Sequence, residues 1–357
     1  MLDSDLLSPI VPLLLSWFDR SQRVLPWRDS KDPYRIWVSE IMLQQTRVSA
    51  VIPYFHRFLE ALPTVEALAL AGDDRLNKLW EGLGYYSRVR NMKKAAIMVM
   101  EQYGGRFPSQ PEELRKLPGI GEYTAGSVAS IAFGKRVPCV DGNVLRVLAR
   151  LLNSPLDVTA PAVKKQFTAA AAELVPADRP GDFNQSLMEL GAIVCLPNGA
   201  PLCEQCPLRQ LCRGRAAGTA PQLPVKAPKK ARTVEERTVL LCVSPSGVLV
   251  TRRPEHGILA GLWEYPCLPG SIPPEDAAGQ LRTWGLQPLS VEKAGNARHI
   301  FTHKEWHMTG YLARVSPSAP LPEGLRWATV EELRSRYAVP GAYKFFTALL
   351  EKVFSAP

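Results

Sequence analysis

Four of the chain's seven cysteines fall within eighteen residues, in CLPNGAPLCEQCPLRQLC at 195–212. Cys203 and Cys206 flank two residues, five separate Cys206 from Cys212, and seven separate Cys195 from Cys203. Thiolates at this spacing can grip zinc or an iron–sulfur centre, and spacing alone leaves both open. A structural zinc site ordinarily pairs two knuckles, whereas one knuckle stands here with no histidine nearby. Two carboxylates also occupy places where chemistry could use them. Glu40 lies in WVSEIMLQQT, an otherwise apolar helical stretch in which burial would raise its pKa and keep it a proton donor. Asp141 lies in VDGNV, just ahead of a helix start whose backbone N–H groups would favour its ionised form. An acid and an anion are what breaking a glycosidic bond through an oxocarbenium-like state requires. Plainer roles also suit them, a solvent-facing helix residue for Glu40 and a simple helix cap for Asp141.

Between these carboxylates lies LRKLPGIGEYTAGSVASIAFG, residues 114–134. Gly119 and Gly121 put a tight turn between two helices, where bare N–H groups can converge on one phosphate at the start of the second helix without reading a base. The net charge of +9 favours a polyanionic partner, for which about six to ten phosphate contacts give strong, salt-dependent binding. At the N-terminus, Asp3 and Asp5 stand where a secretory signal would carry Lys or Arg, and no stretch approaches the length of a membrane span. An amphipathic helix of an intracellular, cytoplasmic protein is expected there. In a reducing compartment the cysteine cluster is a metal site before it is a disulfide knot.

The elements that must hold these groups read as two blocks. Up to about residue 215 the pattern is helix after helix, as in VEALALAGDDRLNKLWEGLG and NMKKAAIMVMEQYGG, where apolar residues recur at helical spacing and Gly closes each run. Residues 216–235, rich in Pro, Ala and Lys, read as a linker. From 236 to 357 the texture changes: RTVLLCVSPSGVLVTRRP is two apolar runs around a turn, followed by further strands and a helix, so a smaller α+β domain is expected.

LPGIG, VDGNV, the four cysteines and WVSEIMLQQT together resemble the helix–hairpin–helix, iron–sulfur DNA glycosylases, in particular the MutY-type adenine DNA glycosylases, over nearly the whole chain. The resemblance implies a mostly α catalytic domain with a [4Fe–4S] cluster on Cys195, Cys203, Cys206 and Cys212. It further implies Glu40 as the acid at adenine N7, Asp141 as the group stabilising the C1′ cation, and Tyr123 and Asn143 as holders of the water and carboxylates. Gln45 and Tyr85 would intercalate, while Arg28 and Gln185 would contact the flipped adenine, which must leave the duplex to be reached. The family usually has six residues between the first two cysteines, often basic; the seven of LPNGAPL carry no basic side chain, and Arg209, Arg213 and Arg215 could compensate. Relatives that also cut the backbone carry a lysine near Tyr123, and here no lysine occurs between Lys116 and Lys135. Monofunctional hydrolysis follows.

In the second block, GLWEYP resembles the start of a Nudix box, but EDAAGQLRTWGL lacks the glutamate set that binds magnesium, which argues against pyrophosphate hydrolysis. The block looks like the MutT-like domain that reads 8-oxoguanine opposite the target adenine, with Phe301, Thr302 and His303 where the family has Phe-Ser-His. The expected partner is double-stranded DNA carrying A opposite 8-oxoguanine or G, bound by a monomer. The rival readings are a thymine-mismatch glycosylase of the same fold, set aside on the MutT-like block, and a non-catalytic iron–sulfur damage sensor, set aside because both carboxylates are present.

Overall fold

Ile10, Leu14, Trp17 and Phe18 recur at helical spacing and bury one face of α1 (Ile10–Ser21) in the computed structural model, which describes residues 9–197, 199–228, 231–317 and 319–355. Asp3 and Asp5 lie outside the described residues. The helices that follow are α2 (Pro33–Leu43), α3 (Val48–Ala61), α4 (Val65–Leu70), α5 (Asp73–Trp80), α6 (Ser87–Tyr103), α7 (Pro111–Leu114), α8 (Glu122–Phe133), α9 (Gly142–Leu151), α10 (Pro161–Leu174), α11 (Pro180–Ile193) and α12 (Arg213–Ala216). The stretch expected as one helix over VEALALAGDDRLNKLWEGLG is two, α4 and α5. The chain divides into two compact units, residues 1–70 with 90–228 and residues 71–89 with 229–357.

The helical unit packs α1, α9, α10 and α11 around one apolar core, against which Cys195, Cys206 and Cys212 lie half-buried. Its hairpin joins α7 to α8. Leu114, Leu117 and Ile120 are buried beneath the turn, and Gly119 crosses it at φ +78° with no room for a side chain, since a Cβ would come within 2.8 Å of Asn91 Cβ. Helix α8 then runs close to the segment leading to α9. Gly126 sets that approach: a Cβ there would lie 2.4 Å from the backbone oxygen of Pro138. On the far side of the same segment, buried Asn184 of α11 accepts from the backbone N–H of Cys139 (3.0 Å) and donates to the Val137 carbonyl (2.9 Å). A glycine and an amide thus fix the residues that deliver Asp141.

Within the expected linker, the first half is ordered on the helical unit. Ala220 and Leu223 are buried, Arg150 donates to the Leu223 carbonyl (2.9 Å), and Val225 bridges to Asp157.

The second unit is built on one mixed sheet in the order β3-β2-β1-β6-β5, with β4 added to β1 and β7 to β2. The strands are β1 (Thr233–Ser244), β2 (Gly247–Arg252), β3 (Trp263–Glu264), β4 (Cys267–Pro269), β5 (Leu286–Ile300), β6 (Lys304–Pro317) and β7 (Leu325–Ala328). The β1–β2 hairpin closes at Pro245-Ser246, with Ser244 opposite Gly247, and β1 runs parallel to β6. Both faces of the sheet are covered, which explains the unbroken apolar run of β1. Val239, Leu241 and Val243 point into one core with Tyr343 and Phe346, the latter on α15 (Lys344–Ser355); Leu240 and Cys242 point into another with Ala277 and Leu281 of α13 (Pro274–Thr283). Between β7 and α15, the short helix α14 (Val330–Ser335) starts in a capping box made by Thr329 and Glu332.

Residues 71–89 are tied into this unit by named bonds. Lys78 donates to the Leu333 carbonyl (2.7 Å), Trp263 donates to Asp74 (3.1 Å), and the Val339 N–H donates to Glu81 (2.8 Å). Gly126→Ala is expected to lower the stability of the helical unit by about 1–3 kcal/mol, because backbone and not a flexible side chain meets the added methyl. A urea melt followed by circular dichroism measures it, and an unchanged midpoint would mean that the approach at Pro138 is not tight.

Candidate active site

A cavity of about 470 Å³ in the helical unit is lined by Glu40, Asp141, Tyr123, Asn143, Arg28, Gln45 and Gln185, together with Arg23, Trp27, Met188 and Glu189. Seven of the residues singled out from sequence therefore meet around one space. Glu40 reaches it from α2, a helix begun by Asp32 as cap with Pro33 in the first position and buried along almost all of its length. The carboxyl is 6% exposed and accepts a hydrogen bond from the Tyr123 hydroxyl (2.7 Å). Burial pushes its pKa above the usual carboxylate value. Tyr123 and Ser127 pull it down only in part, and the nearby Asp141 charge raises it further. Such a setting favours the protonated acid to higher pH than for a carboxyl in water.

Asp141 caps α9. Its Oδ1 accepts from the N–H groups of Asn143 (2.9 Å) and Val144 (2.8 Å), and its Oδ2 accepts from the Asn143 amide (2.7 Å). Three donors favour the anion, yet burial outweighs them and the net shift is upward. The expectation drawn from the helix start is corrected here: the cap is present, but the dryness of the site is the larger effect.

Arg28 and Gln185 do come together, with Arg28 Nε donating to Gln185 Oε1 (3.2 Å). Behind them is a residue that the sequence reading missed. Glu189, one helical turn after Gln185 on α11 and 1% exposed, accepts from both nitrogens of Arg23 (2.8 and 2.7 Å) and from Arg28 Nη2 (2.9 Å). Burial alone would raise its pKa, but the two guanidinium groups prevail and hold it at about 2. The i, i+4 spacing of Gln185 and Glu189 is the only local signal that could have found it.

Gln45 lines the cavity with its backbone at φ +56°, and Tyr85, in the second unit, stands at φ +48°, 47% exposed. Non-glycine residues held in the left-handed region are strained, and such strain concentrates at functional sites. Arg88 stacks below Tyr85 and over Trp80, and burial brings its pKa down to about 10. Phe301, Thr302 and His303 form the turn between β5 and β6, closed by the Phe301 N–H on the Lys304 carbonyl (2.8 Å). Phe301 packs edge-on against Trp306, and the Thr302 hydroxyl meets the Tyr85 hydroxyl at 3.3 Å.

Cys195, Cys203, Cys206 and Cys212 line a separate small cavity of about 30 Å³. Burial raises the Cys206 thiol to about 12, and the other three cysteines add to the shift, so their charges are felt at one another. Among the described residues no three His, Cys, Asp or Glu side chains converge as one metal ion demands. All four thiols line that one space, so a group held there would be shared among them. The Arg215 N–H points at Cys212 Sγ (3.4 Å), and Arg150 Nη1 donates to Cys195 Sγ (3.2 Å). Of the arginines expected to compensate for the uncharged 196–202 loop, Arg209 and Arg215 are engaged by Glu204. Arg146, also missed, joins this module to the cavity: it donates to the carbonyls of Cys195 (2.8 Å) and Gly191 (2.8 Å) and to Asn143 Oδ1 (2.8 Å).

In the second unit, Glu264 of GLWEYP is 7% exposed and is held by Arg253 (2.5 Å) and Tyr343.

Fold and site together define a base-excision repair protein of the helix–hairpin–helix class with a Nudix-like second domain. Residues 38–173 match the family model described as HhH-GPD superfamily base excision DNA repair protein, and residues 238–348 match a NUDIX domain. The chain is 36% identical to the adenine DNA glycosylase of Homo sapiens over 93% of its own length and 72% of that protein's. It is 33% identical to the adenine DNA glycosylase of Buchnera aphidicola, with 84% and 83% covered. Among solved structures, a thermostable thymine-DNA glycosylase superposes with TM-score 0.55 at 30% identity, over 60% of this chain and 98% of that one. An endonuclease III trapped with DNA superposes with TM-score 0.53 at 24% identity, over 61% and 99%, a likeness of fold. The chain belongs to the adenine DNA glycosylases. It is a DNA repair enzyme that removes adenine by base excision, and an iron–sulfur centre is expected in its family.

Replacing Glu189 by Ala should cost about 1–3 kcal/mol, because two half-buried guanidinium groups lose the acceptor they share. Since the folded carboxyl titrates at about 2 and an unperturbed one near 4.5, the contribution of Glu189 is whole above the higher value and lost as pH falls through the lower. Denaturant melts of the protein and of Glu189→Gln should accordingly converge toward pH 2; a gap that stays constant from pH 6 to pH 2 would contradict the ion-pair account.

Proposed function

We propose that the enzyme hydrolyses the bond between adenine and deoxyribose where adenine stands opposite 8-oxoguanine or guanine, leaving an abasic site and an uncut strand. The observation that carries the reading is one cavity in which the Tyr123 hydroxyl steadies the buried Glu40 carboxyl while Asp141, capping α9, faces the same space. Adenine turned out of the duplex enters it, met by Arg28 and Gln185. Glu40 gives its proton to N7, which makes the base a better leaving group; the C1′–N9 bond breaks with its electron pair going to the base. Positive charge then develops on the sugar, and Asp141 stabilises it, as a second carboxylate does in glycoside hydrolysis. Water positioned by Asn143 and Tyr123 adds at C1′ and gives up a proton to the Glu40 carboxylate, which restores the acid. The described residues lining the cavity include no lysine, which supports hydrolysis over a Schiff-base route to strand cleavage.

Gln45 and Tyr85 fill the gap left in the base stack, and the N–H groups at Gly119 and Gly121 hold one phosphate. The helical unit is the catalytic domain and the sheet unit the recognition domain, whose Phe301, Thr302 and His303 read 8-oxoguanine. One such polar contact to a base contributes roughly 1–3 kcal/mol of discrimination. Cys195, Cys203, Cys206 and Cys212 hold a [4Fe–4S] cluster. When bound, it ties the 195–212 loop into a rigid DNA-facing element and takes no part in excision. The enzyme works as a monomer.

Incubation with duplexes carrying A opposite 8-oxoguanine, A opposite G and T opposite G, each followed by alkali, tests the reading. Scission is expected only after alkali and only on the adenine strand; scission without alkali would mean a bifunctional enzyme. Glu40→Gln and Asp141→Asn should each abolish excision while leaving duplex binding intact, and near-normal single-turnover rates in either would overturn the assignment. Activity needs Glu40 protonated and Asp141 ionised, so it is lost as pH rises through the raised pKa of Glu40 and as pH falls through that of Asp141. The alkaline limb of the profile should therefore vanish with Glu40.

The purified protein should be brown, absorb near 400 nm and hold about four irons. Changing Cys203 or Cys206 should cost folding and DNA affinity together, since metal binding and loop folding are one equilibrium. A colourless, fully active protein with one zinc would overturn the cluster.

A further inference from the structure

Ser127 stands four residues after Tyr123 on α8, so both side chains leave the helix on the same face. It is fully buried, and its hydroxyl makes no hydrogen bond of ordinary length and angle. Its neighbour Ser130, by contrast, accepts from the Asn184 amide at 2.9 Å. A buried hydroxyl without a partner is uncommon and asks for a reason. The titratable groups within its reach are the Glu40 carboxyl and the Cys139 thiol, and it biases both toward their ionised forms.

Glu40 is surrounded by groups that answer differently to its charge. The Tyr123 hydroxyl gives its one proton to Oε2; the Asp141 carboxylate opposes ionisation; the Arg28 guanidinium favours it; and the Cys139 thiol is itself pushed up by burial and by the two carboxylates. When Glu40 releases its proton, a negative charge appears in a dry pocket where Tyr123 has nothing further to donate.

We propose that Ser127 is a reserve donor for Glu40, a hydroxyl that stands unengaged while the acid holds its proton and turns onto the carboxylate as that proton leaves for the base. The inference rests on Glu40 as the acid. No proton leaves Ser127: the O–H rotates about one bond and is shared with the new anion, while the proton from Glu40 goes to the ring nitrogen and the breaking C1′–N9 pair goes to the base. A contact made only as charge develops speeds the reaction, whereas one made equally to substrate and transition state does not. Ser127 is thus a positioning residue that acts through Glu40.

Single-turnover excision from A opposite 8-oxoguanine, measured across pH for the wild-type enzyme, Ser127→Ala and Ser127→Thr, tests this. Loss of a donor to the ionised form raises the pKa of Glu40. Because excision needs the protonated acid and fails as pH rises through that pKa, the alkaline limb of Ser127→Ala should move to higher pH while its plateau rate falls about tenfold. Ser127→Thr retains the hydroxyl and should restore both features. A Ser127→Ala profile that falls in rate without moving its alkaline limb would overturn the proposal, as would an equal loss in Ser127→Thr protein of unchanged melting temperature. The melting temperature of Ser127→Ala should match the wild type; a rate loss accompanied by a lowered melting temperature and an unmoved alkaline limb would assign Ser127 a packing role instead. Near-normal excision by Glu40→Gln alone would overturn the acid beneath the inference, a separate result.

Discussion

One guanidinium holds the catalytic half of the molecule in register. Arg146 is 5% exposed, and its donors reach the carbonyls of Gly191 and Cys195 and the side-chain oxygen of Asn143. Three pieces of backbone converge on it: the start of α9, the end of α11 and the first residue of the cysteine module. Asn143 in turn carries the amide that steadies Asp141. The position of the anion in the cavity and the course of the chain around the four thiols are therefore set by the same side chain, and its planar fork of donors is what allows one residue to serve all three. A lysine has the charge but not the fork.

What the sequence made legible were the groups whose signal is local. The C-x2-C spacing, the glycines of the hairpin and the Asp-Gly-Asn helix start each declare themselves within a few residues, and Glu40 stands out because everything around it is apolar. Glu189, Arg23, Arg146 and Ser127 carry no such mark. Each is an ordinary residue until tertiary packing brings its partner from more than forty residues away in most cases, as for Arg23 and Glu189, 166 positions apart. The same limit explains the upward pKa shift of Asp141: donors can be counted from a cap motif, but the depth of burial cannot. Residues 71–89 were indistinguishable from their helical neighbours because the bonds of Lys78, Asp74 and Glu81 are to residues of the second unit, and composition gives no hint of them.

The second unit keeps the Nudix-like sheet with a layer of side chains on each face. The sheet is covered on both faces, and α13 presents Ala277 and Leu281 to the core. Glu264 of GLWEYP is turned inward onto Arg253 and Tyr343. A carboxylate satisfied in this way contributes to packing, and the surface that remains exposed at the β5–β6 turn is left to recognition.

The left-handed backbone at Gln45 and Tyr85 places two residues where fitness and stability pull in opposite directions. Glycine would relieve the strain at either position and remove the side chain proposed to enter the duplex. Any pressure for a hardier fold, whether laboratory selection for heat resistance or drift toward consensus loops, would therefore erode these positions first, and a variant selected only for its melting temperature would become a better folded protein and a poorer searcher of DNA.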